Sequence, residues 1–294
     1  MLYFLYVLGN FVANTLPIKS GYILADFSGV VYYWFARKDR KIVAENLKVV
    51  LSQSGDCREL DRLIPMVFAN FGRYLLEFFR SPKIDQAFIR ENIKFEGRQH
   101  LEEALKLGKG VILVGAHIGN WEMGAMTLAM LGYRMRIVAW SHKDKRINNF
   151  FLQRRKDKGV EVISLGWAIR KVFSSLKENA LVAILGDIDY ADPDTGIRVK
   201  FFGRETILPQ GPAVFSLRTG APIVVSTFLR ETPGKFKLVM QPPMIYQSSG
   251  NQDEDVAKFT QNLAKAMETF IAQYPDQWFM LRPRWEPTLE EKGR

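Results

Sequence analysis

From residue 111 onward the chain alternates short apolar runs of strand length with stretches of helical spacing, and that alternation restricts the folds open to it. VILVGAH, residues 111 to 117, is a continuous β-branched run bounded by glycine, the pattern of a strand buried on both faces. MRIVAW, VEVISL, LVAILGD, IRVKFF, PIVVSTFL and FKLVMQ follow it. WEMGAMTLAML, NNFFLQRRKDK and AIRKVFSSLKEN, all with helical character, stand between several of them. Interleaving of this kind predicts an α/β fold, a mostly parallel central sheet flanked by helices. A last helix is expected over residues 255 to 274, with Val256, Phe259, Leu263, Met267 and Phe270 on one side.

Upstream the character is helical. Residues 38 to 52, 59 to 80 and 97 to 107 carry helical spacing, the second with a wide apolar face. The first 36 residues stand apart. MLYFLYVLGNFVANTLPI has no charge before Lys19, and GYILADFSGVVYYWFA has only Asp26. The first run is just long enough to be a spanning candidate, although Gly9, Asn10, Asn14 and Pro17 weaken it as a bilayer helix. It carries neither the basic start nor the small-residue cleavage site of a signal peptide. A pair of buried helices would explain the same pattern. The cluster RKDRK, residues 37 to 41, follows directly and suits anionic headgroups. The expectation is an apolar membrane-associating segment over 1–36, either inserted or lying in the interface on the cytoplasmic face. One α/β domain over 37–285 and a polar tail over 286–294 would complete the chain.

Composition narrows the partners. Hydrophobic residues make up 47% of the 294, enough for a sizeable core. The formal charge of +10 favours anionic partners, whether nucleic acid, an acidic membrane surface or phosphorylated substrates. The runs RKDRK, HKDKR and RRKDK come with no nucleic-acid-binding motif, so a nucleic-acid partner is not expected. Cys57 is the single cysteine, so no intramolecular disulfide forms, and with three histidines no structural zinc site is expected.

His117 closes the run VILVGA, and Gly119 and Asn120 turn the chain into the helix that bears Glu122. Open α/β sheets gather ligands at the carboxyl ends of their strands. An imidazole there, with a carboxylate one turn on, suits general-base catalysis: Glu122 would accept from one ring nitrogen while the other takes a proton. By spacing alone the commoner explanation is a core histidine followed by a glutamate that suits the helix dipole. His100 lies on a solvated helix and His142 in a charged loop, so a histidine base, if there is one, is His117. Neither G-x-S-x-G nor G-x-G-x-x-G follows the strand, which disfavours a serine hydrolase and a dinucleotide site.

GKGVILVGAHIGNWEMGA resembles the histidine–four residues–acid block of the late lipid A biosynthesis acyltransferases, whose close relatives are the phosphatidylinositol mannoside acyltransferases. RRKDKGVEVI resembles the family's arginine-to-glycine segment at Arg155 and Gly159. LGDIDY resembles its aspartate-bearing strand end at Asp187 and Asp189. VKFFGRET and GPAVFSLRTGAPIV resemble the next blocks, with Phe202, Gly203, Thr206, Gly211 and Pro212. AENL and PDQWFMLRPRW also fit, so the likeness runs from about Leu16 to Trp285. Two departures bear on the acceptor: Arg282 and Pro283 stand where a histidine often precedes the arginine, and Ala191 replaces a common glycine.

The resemblance implies transfer of a fatty acyl chain from an acyl carrier protein or coenzyme A thioester to a hydroxyl of a membrane glycolipid such as a lipid A precursor. Acylation of another glycolipid or phospholipid, or thioester hydrolysis, are the alternatives. His117 would be the base and Glu122 its orienting acid. Arg155, or backbone N–H groups near Gly119 and Asn120, would stabilise the oxyanion. Asp187, costly at a buried strand end unless paired, would find a partner such as Arg155. Asp189, Phe202, Gly203 and Thr206 would bind substrate. No metal or cofactor is implied, and the place of action would be the cytoplasmic face of the inner membrane.

Overall fold

The computed structural model describes residues 2–52, 59–165, 168–188 and 196–285. Cys57, Asp189 and the tail over 286–294 lie outside the described residues. Nine strands are described: β1 (Ile93–Glu96), β2 (Val111–Gly115), β3 (Met135–Ala139), β4 (Glu161–Ser164), β5 (Leu181–Leu185), β6 (Gly196–Phe201), β7 (Arg204–Pro209), β8 (Ile223–Thr232) and β9 (Lys235–Met240). Seven form one sheet in the order β1-β9-β8-β2-β5-β3-β4. Its neighbours are parallel except for β8 and β9, which pair antiparallel.

Eleven α-helices accompany them among the described residues: α1 (Leu2–Thr15), α2 (Ile18–Phe35), α3 (Arg37–Ser52), α4 (Leu60–Phe79), α5 (Gln86–Asn92), α6 (Arg98–Lys106), α7 (Trp121–Met130), α8 (Lys145–Asp157), α9 (Ala168–Lys177), α10 (Gly211–Thr219) and α11 (Gln252–Gln273). The period of two along the strands divides the core. Ile112, Val114, Val182 and Val225 face the layer of α9, α10 and α11. Val111, Leu113, Leu181 and Val224 face the layer of α4 to α8. That two-sided burial is why these strands read as unbroken apolar runs.

IRVKFF departs from the simple expectation of one sheet. It forms β6 of a separate antiparallel hairpin with β7. Phe202 and Gly203 make the two-residue turn with φ of 50° and 75°. Two left-handed residues match the twist of a tight hairpin.

No described helix is long and apolar enough to cross a membrane. α1 has 14 residues, about 21 Å at 1.5 Å per residue against the roughly 30 Å of a hydrocarbon core. The spanning candidate over the first 18 residues is thereby corrected: the helix stops before Pro17, and its polar residues serve the protein. Asn14 Nδ2 donates to the Phe79 carbonyl at 2.9 Å, and Arg154 donates to Asn10 Oδ1 at 2.6 Å. Arg80 and Lys83 donate to the carbonyls of Leu16 and Asn14 at 2.9 and 2.6 Å, capping the negative end of α1.

α2 lies on α4 through small residues. A Cβ on Gly29 would stand 2.5 Å from the Phe68 oxygen, and one on Gly72 would stand 2.4 Å from the Ala25 oxygen, so only glycine permits this approach. The outer faces stay apolar: Phe4, Phe11, Phe27 and Trp34 are each about two-thirds exposed. RKDRK then forms the first turn of α3.

Candidate active site

β2 and β5 are parallel neighbours whose register ends with Gly115 opposite Leu185. Two residues further along each chain stand His117 and Asp187, side by side at the carboxyl edge of the sheet. His117 Nδ1 meets Asp187 Oδ1 at 2.7 Å, and the His117 backbone N–H donates to Asp187 Oδ2 at 2.8 Å. Trp278 Nε1 donates to the same Oδ2 at 3.1 Å. Asp187 is wholly buried. Burial alone would raise its pKa, but the facing imidazole and these hydrogen bonds outweigh it and hold the carboxyl below its ordinary value. An ionised Asp187 can only accept, so Nδ1 carries the proton and Nε2 is the ring's basic nitrogen.

The loop from His117 to Asn120 is fixed by its own backbone. Ile118 N donates to the Ala116 oxygen at 2.7 Å, Gly119 N to the Gln277 oxygen at 2.9 Å and Asn120 N to the Phe228 oxygen at 2.7 Å. Phe279 N returns a bond to the His117 oxygen at 2.8 Å. Gly119 has φ of +65°, and a Cβ there would stand 2.0 Å from the Phe228 oxygen, so glycine is required. Asn120 caps α7 by accepting from Met123 N at 3.1 Å. Beside the ring, Trp121 stands edge-on to His117 at 5.0 Å between centroids and stacks on Tyr74 at 4.6 Å.

Glu122 is placed differently from the sequence expectation. Both of its oxygens accept from Arg155, at 2.9 Å from Nε and 2.6 Å from Nη2, in a buried bidentate pair. The acid on Nδ1 of His117 is Asp187, and the cation once paired in expectation with Asp187 belongs to Glu122. Burial disfavours the Arg155 charge, but Glu122 more than restores it. The physical reason is topological: the strand register carries Asp187 to His117 across the sheet, whereas α8 packs its arginine against the start of α7. The backbone N–H groups of residues 117 to 120 are all engaged, which removes them as the expected oxyanion donors.

The chain matches the family of bacterial lipid A biosynthesis acyltransferases over residues 1–287. The chain belongs to this family. It is similar to the phosphatidylinositol mannoside acyltransferases of Mycobacterium tuberculosis and Mycolicibacterium smegmatis. Identity to the first is 33% over 240 residues, 80% of this chain and 73% of the relative. Identity to the second is 32% over 238 residues, 80% and 76% of the two. The lipid A biosynthesis lauroyltransferase of Escherichia coli shares 24% over 287 residues, 94% of this chain and 88% of that one.

The other blocks of this acyltransferase family can now be placed. Thr206 Oγ1 donates to the Arg284 oxygen at 2.8 Å and accepts from Arg284 Nε at 3.0 Å, while Arg284 Nη1 donates to the Asp187 oxygen at 3.0 Å. Thr206 therefore holds the arginine that holds the Asp187 turn. Phe202 is buried among Phe201 and Trp285, and its N–H donates to Glu268 at 2.6 Å. Phe202 and Gly203 thus form the turn of the β6–β7 hairpin, the first buried and the second exposed. Gly159, φ +79°, ends α8, and Gly211 and Pro212 open α10.

Several residues were not singled out from sequence. Gln277 clamps the Arg230 backbone on both sides, at 3.0 Å each. Asn46 of AENL donates to the carbonyls of Met280 and Arg282 at 3.0 and 2.8 Å, tying that block to the C-terminal one. Glu77 and Arg230 form a buried ion pair. Their signal was a lone charge within or at the end of a mostly apolar run, YLLEFF in one case and PIVVSTFLR in the other. The clefts lined by Arg134, Arg136 and Glu178 lie at the amino ends of β3 to β5, away from His117.

Proposed function

We propose that this protein transfers a fatty acyl chain from an acyl thioester, on acyl carrier protein or coenzyme A, to a hydroxyl of an anionic membrane glycolipid. The His117–Asp187 pair at the carboxyl edge of adjacent parallel strands, in a chain of this family, carries the reading. Nε2 of His117 removes the proton of the acceptor hydroxyl. The oxygen attacks the thioester carbonyl, and the tetrahedral oxyanion collapses with loss of the thiolate. The thiolate takes the proton back from the imidazolium. Asp187 fixes the tautomer and stabilises the imidazolium, a role the sequence assigned to Glu122. Glu122 and Arg155 are positioning residues that hold the start of α7 against α8. The positive amino end of α7 stabilises the oxyanion. Thr206 borders the acceptor side.

Residues 1–36 form the membrane-facing unit of the 37–285 acyltransferase domain. Their exposed aromatic face would lie in the interface of the inner membrane's cytoplasmic leaflet, with Arg37 to Lys41 over anionic headgroups. Of the acceptors in the relatives' names, the higher identity favours the phosphatidylinositol mannoside kind over lipid A precursors. The test is thiol release from palmitoyl-CoA and from palmitoyl carrier protein, with each acceptor in vesicles, for wild type and His117→Ala. Acceptor-dependent release that His117→Ala abolishes supports transfer. Equal release without acceptor indicates a hydrolase, and full turnover by a folded His117→Ala protein rules out the base.

A further inference from the structure

Beneath the His117 loop lies a buried carboxylate that the chemistry above does not use. Glu77, on α4, is 3% exposed. Its Oε1 accepts from the Tyr22 hydroxyl at 2.8 Å and from Arg230 Nε. Its Oε2 accepts from Arg230 Nη2 at 3.0 Å and from Asn120 Nδ2 at 2.8 Å. Arg230 is 6% exposed and spends Nη1 on Asn70 Oδ1 at 2.8 Å. Tyr22 is 4% exposed, and its hydroxyl accepts in turn from Gly234 N at 3.0 Å. Four donors thus meet the four lone-pair positions of one carboxylate.

The consequence for the site runs through Asn120. An amide side chain offers an acceptor at one end and a donor at the other, and packing alone scarcely tells them apart. Capping α7 requires Oδ1 to face Met123 N. Glu77, which can only accept, requires Nδ2 to face itself. The carboxylate, the nearer of the two acceptors of Nδ2 (the Tyr74 carbonyl stands at 3.4 Å), therefore favours the amide orientation that caps α7, three residues beyond His117 and one before Trp121, the ring that flanks the imidazole. A charged pair taken wholly out of water is a poor source of stability, and fixing a unique geometry is its best-attested use.

We propose that Tyr22, Glu77 and Arg230 are positioning residues for acyl transfer, acting on His117 through Asn120. α2, which faces the lipid, is on this account part of the catalytic frame. The inference rests on His117 being the base, as proposed above. Tyr22 is its most direct probe, because Tyr22→Phe removes one hydroxyl and no packing volume. Loss of that bond frees Glu77 to relax away from Asn120.

The experiment compares the full chain in anionic vesicles as wild type, Tyr22→Phe, Asn120→Ser and the double variant. The assay uses whichever pair of palmitoyl thioester and glycolipid gives the highest wild-type turnover. Serine keeps an N-cap for α7 but cannot reach Glu77 as an amide does. Tyr22→Phe should lower kcat about threefold to tenfold, with both KM values within about twofold and thermal unfolding within a few degrees. In the Asn120→Ser background the same change should have no further effect on kcat, because the link is already cut. Wild-type kcat for Tyr22→Phe, or an equal fold loss in both backgrounds, would overturn the relay. Glu77→Gln serves as a second probe and should lower kcat by more than Tyr22→Phe does. Turnover unaffected by His117→Ala in the same assay would instead remove the base itself, so the two failures are distinguishable.

Discussion

His117 and Asp187 stand the same two steps beyond a register pair, Gly115 with Leu185, on adjacent parallel strands, and the 2.7 Å contact between their side chains follows from that equivalence. Side chains alternate along extended chain, so residues at equal steps past a paired position leave the sheet on the same side. The Gly186 N–H to Gly115 oxygen bond at 2.8 Å and the His117 N–H to Asp187 Oδ2 bond at 2.8 Å carry that register past the ends of the two strands to the pair.

Asp187→Asn should leave substrate affinity nearly unchanged and lower kcat by about 10²- to 10⁴-fold, because an amide no longer fixes the Nδ1–H tautomer or offsets the imidazolium. Steady-state kinetics in both substrates measure it. An Asp187→Asn protein within threefold of wild-type kcat would remove the carboxylate from the mechanism.

Glu122→Gln should act on stability first. It leaves the buried Arg155 guanidinium without its anion, at a cost of about 3–5 kcal/mol. Urea unfolding followed by tryptophan fluorescence reads the loss directly. Replacing both partners, Glu122→Met with Arg155→Leu, should recover most of that stability.

How much of this was legible beforehand depends on the distance over which each feature is determined. VILVGAH and LVAILGD read as strands because burial on both faces leaves nothing polar in them before the last residue, and His117 was found because it ends such a run. The partner of His117 was not legible. Glu122 is near in sequence, whereas Asp187 is near only once β2 and β5 are neighbours, and strand order is not written in any local window. For the same reason IRVKFF could not declare itself half of a separate hairpin. Asn10 and Asn14 read as defects in a bilayer helix, and only the fold revealed Arg154 and the Phe79 carbonyl as their partners.

The acid limb of the stability curve should depend on His142. Its ring, though the residue is exposed, lies 4.6 Å from the Phe151 ring, and partial desolvation there, with Arg155 as a like charge and Glu122 partly opposing it, lowers its pKa. The unfolded chain, with an ordinary histidine near pH 6.5, therefore binds the proton more readily than the folded one. Stability falls as pH drops below about 6.5 and levels off once the folded pKa is passed. His142→Gln should flatten that part of a urea-midpoint profile. An unchanged slope between pH 7 and 5 would show that other groups govern it.

Phe4→Ser, Phe11→Ser and Phe27→Ser together should lower partition into phosphatidylglycerol vesicles at least about tenfold, since each apolar ring buried in lipid contributes up to about 1.5–3 kcal/mol. Unfolding should be little affected, because these rings face outward. Added salt should weaken binding further through Arg37, Lys38, Arg40 and Lys41. Vesicle co-sedimentation distinguishes the two contributions.

Asn70 of α4 donates to the oxygens of Asp276, and 206 residues separate the two. A ribosome adding about 5–20 residues each second delivers the second partner some 10–40 s after the first. Until it ends, the nascent chain carries the apolar helices α1, α2 and α4 without the C-terminal segment that later packs on α4. A nearby lipid surface, or a chaperone, would then shelter α1, α2 and α4 until the last block arrives.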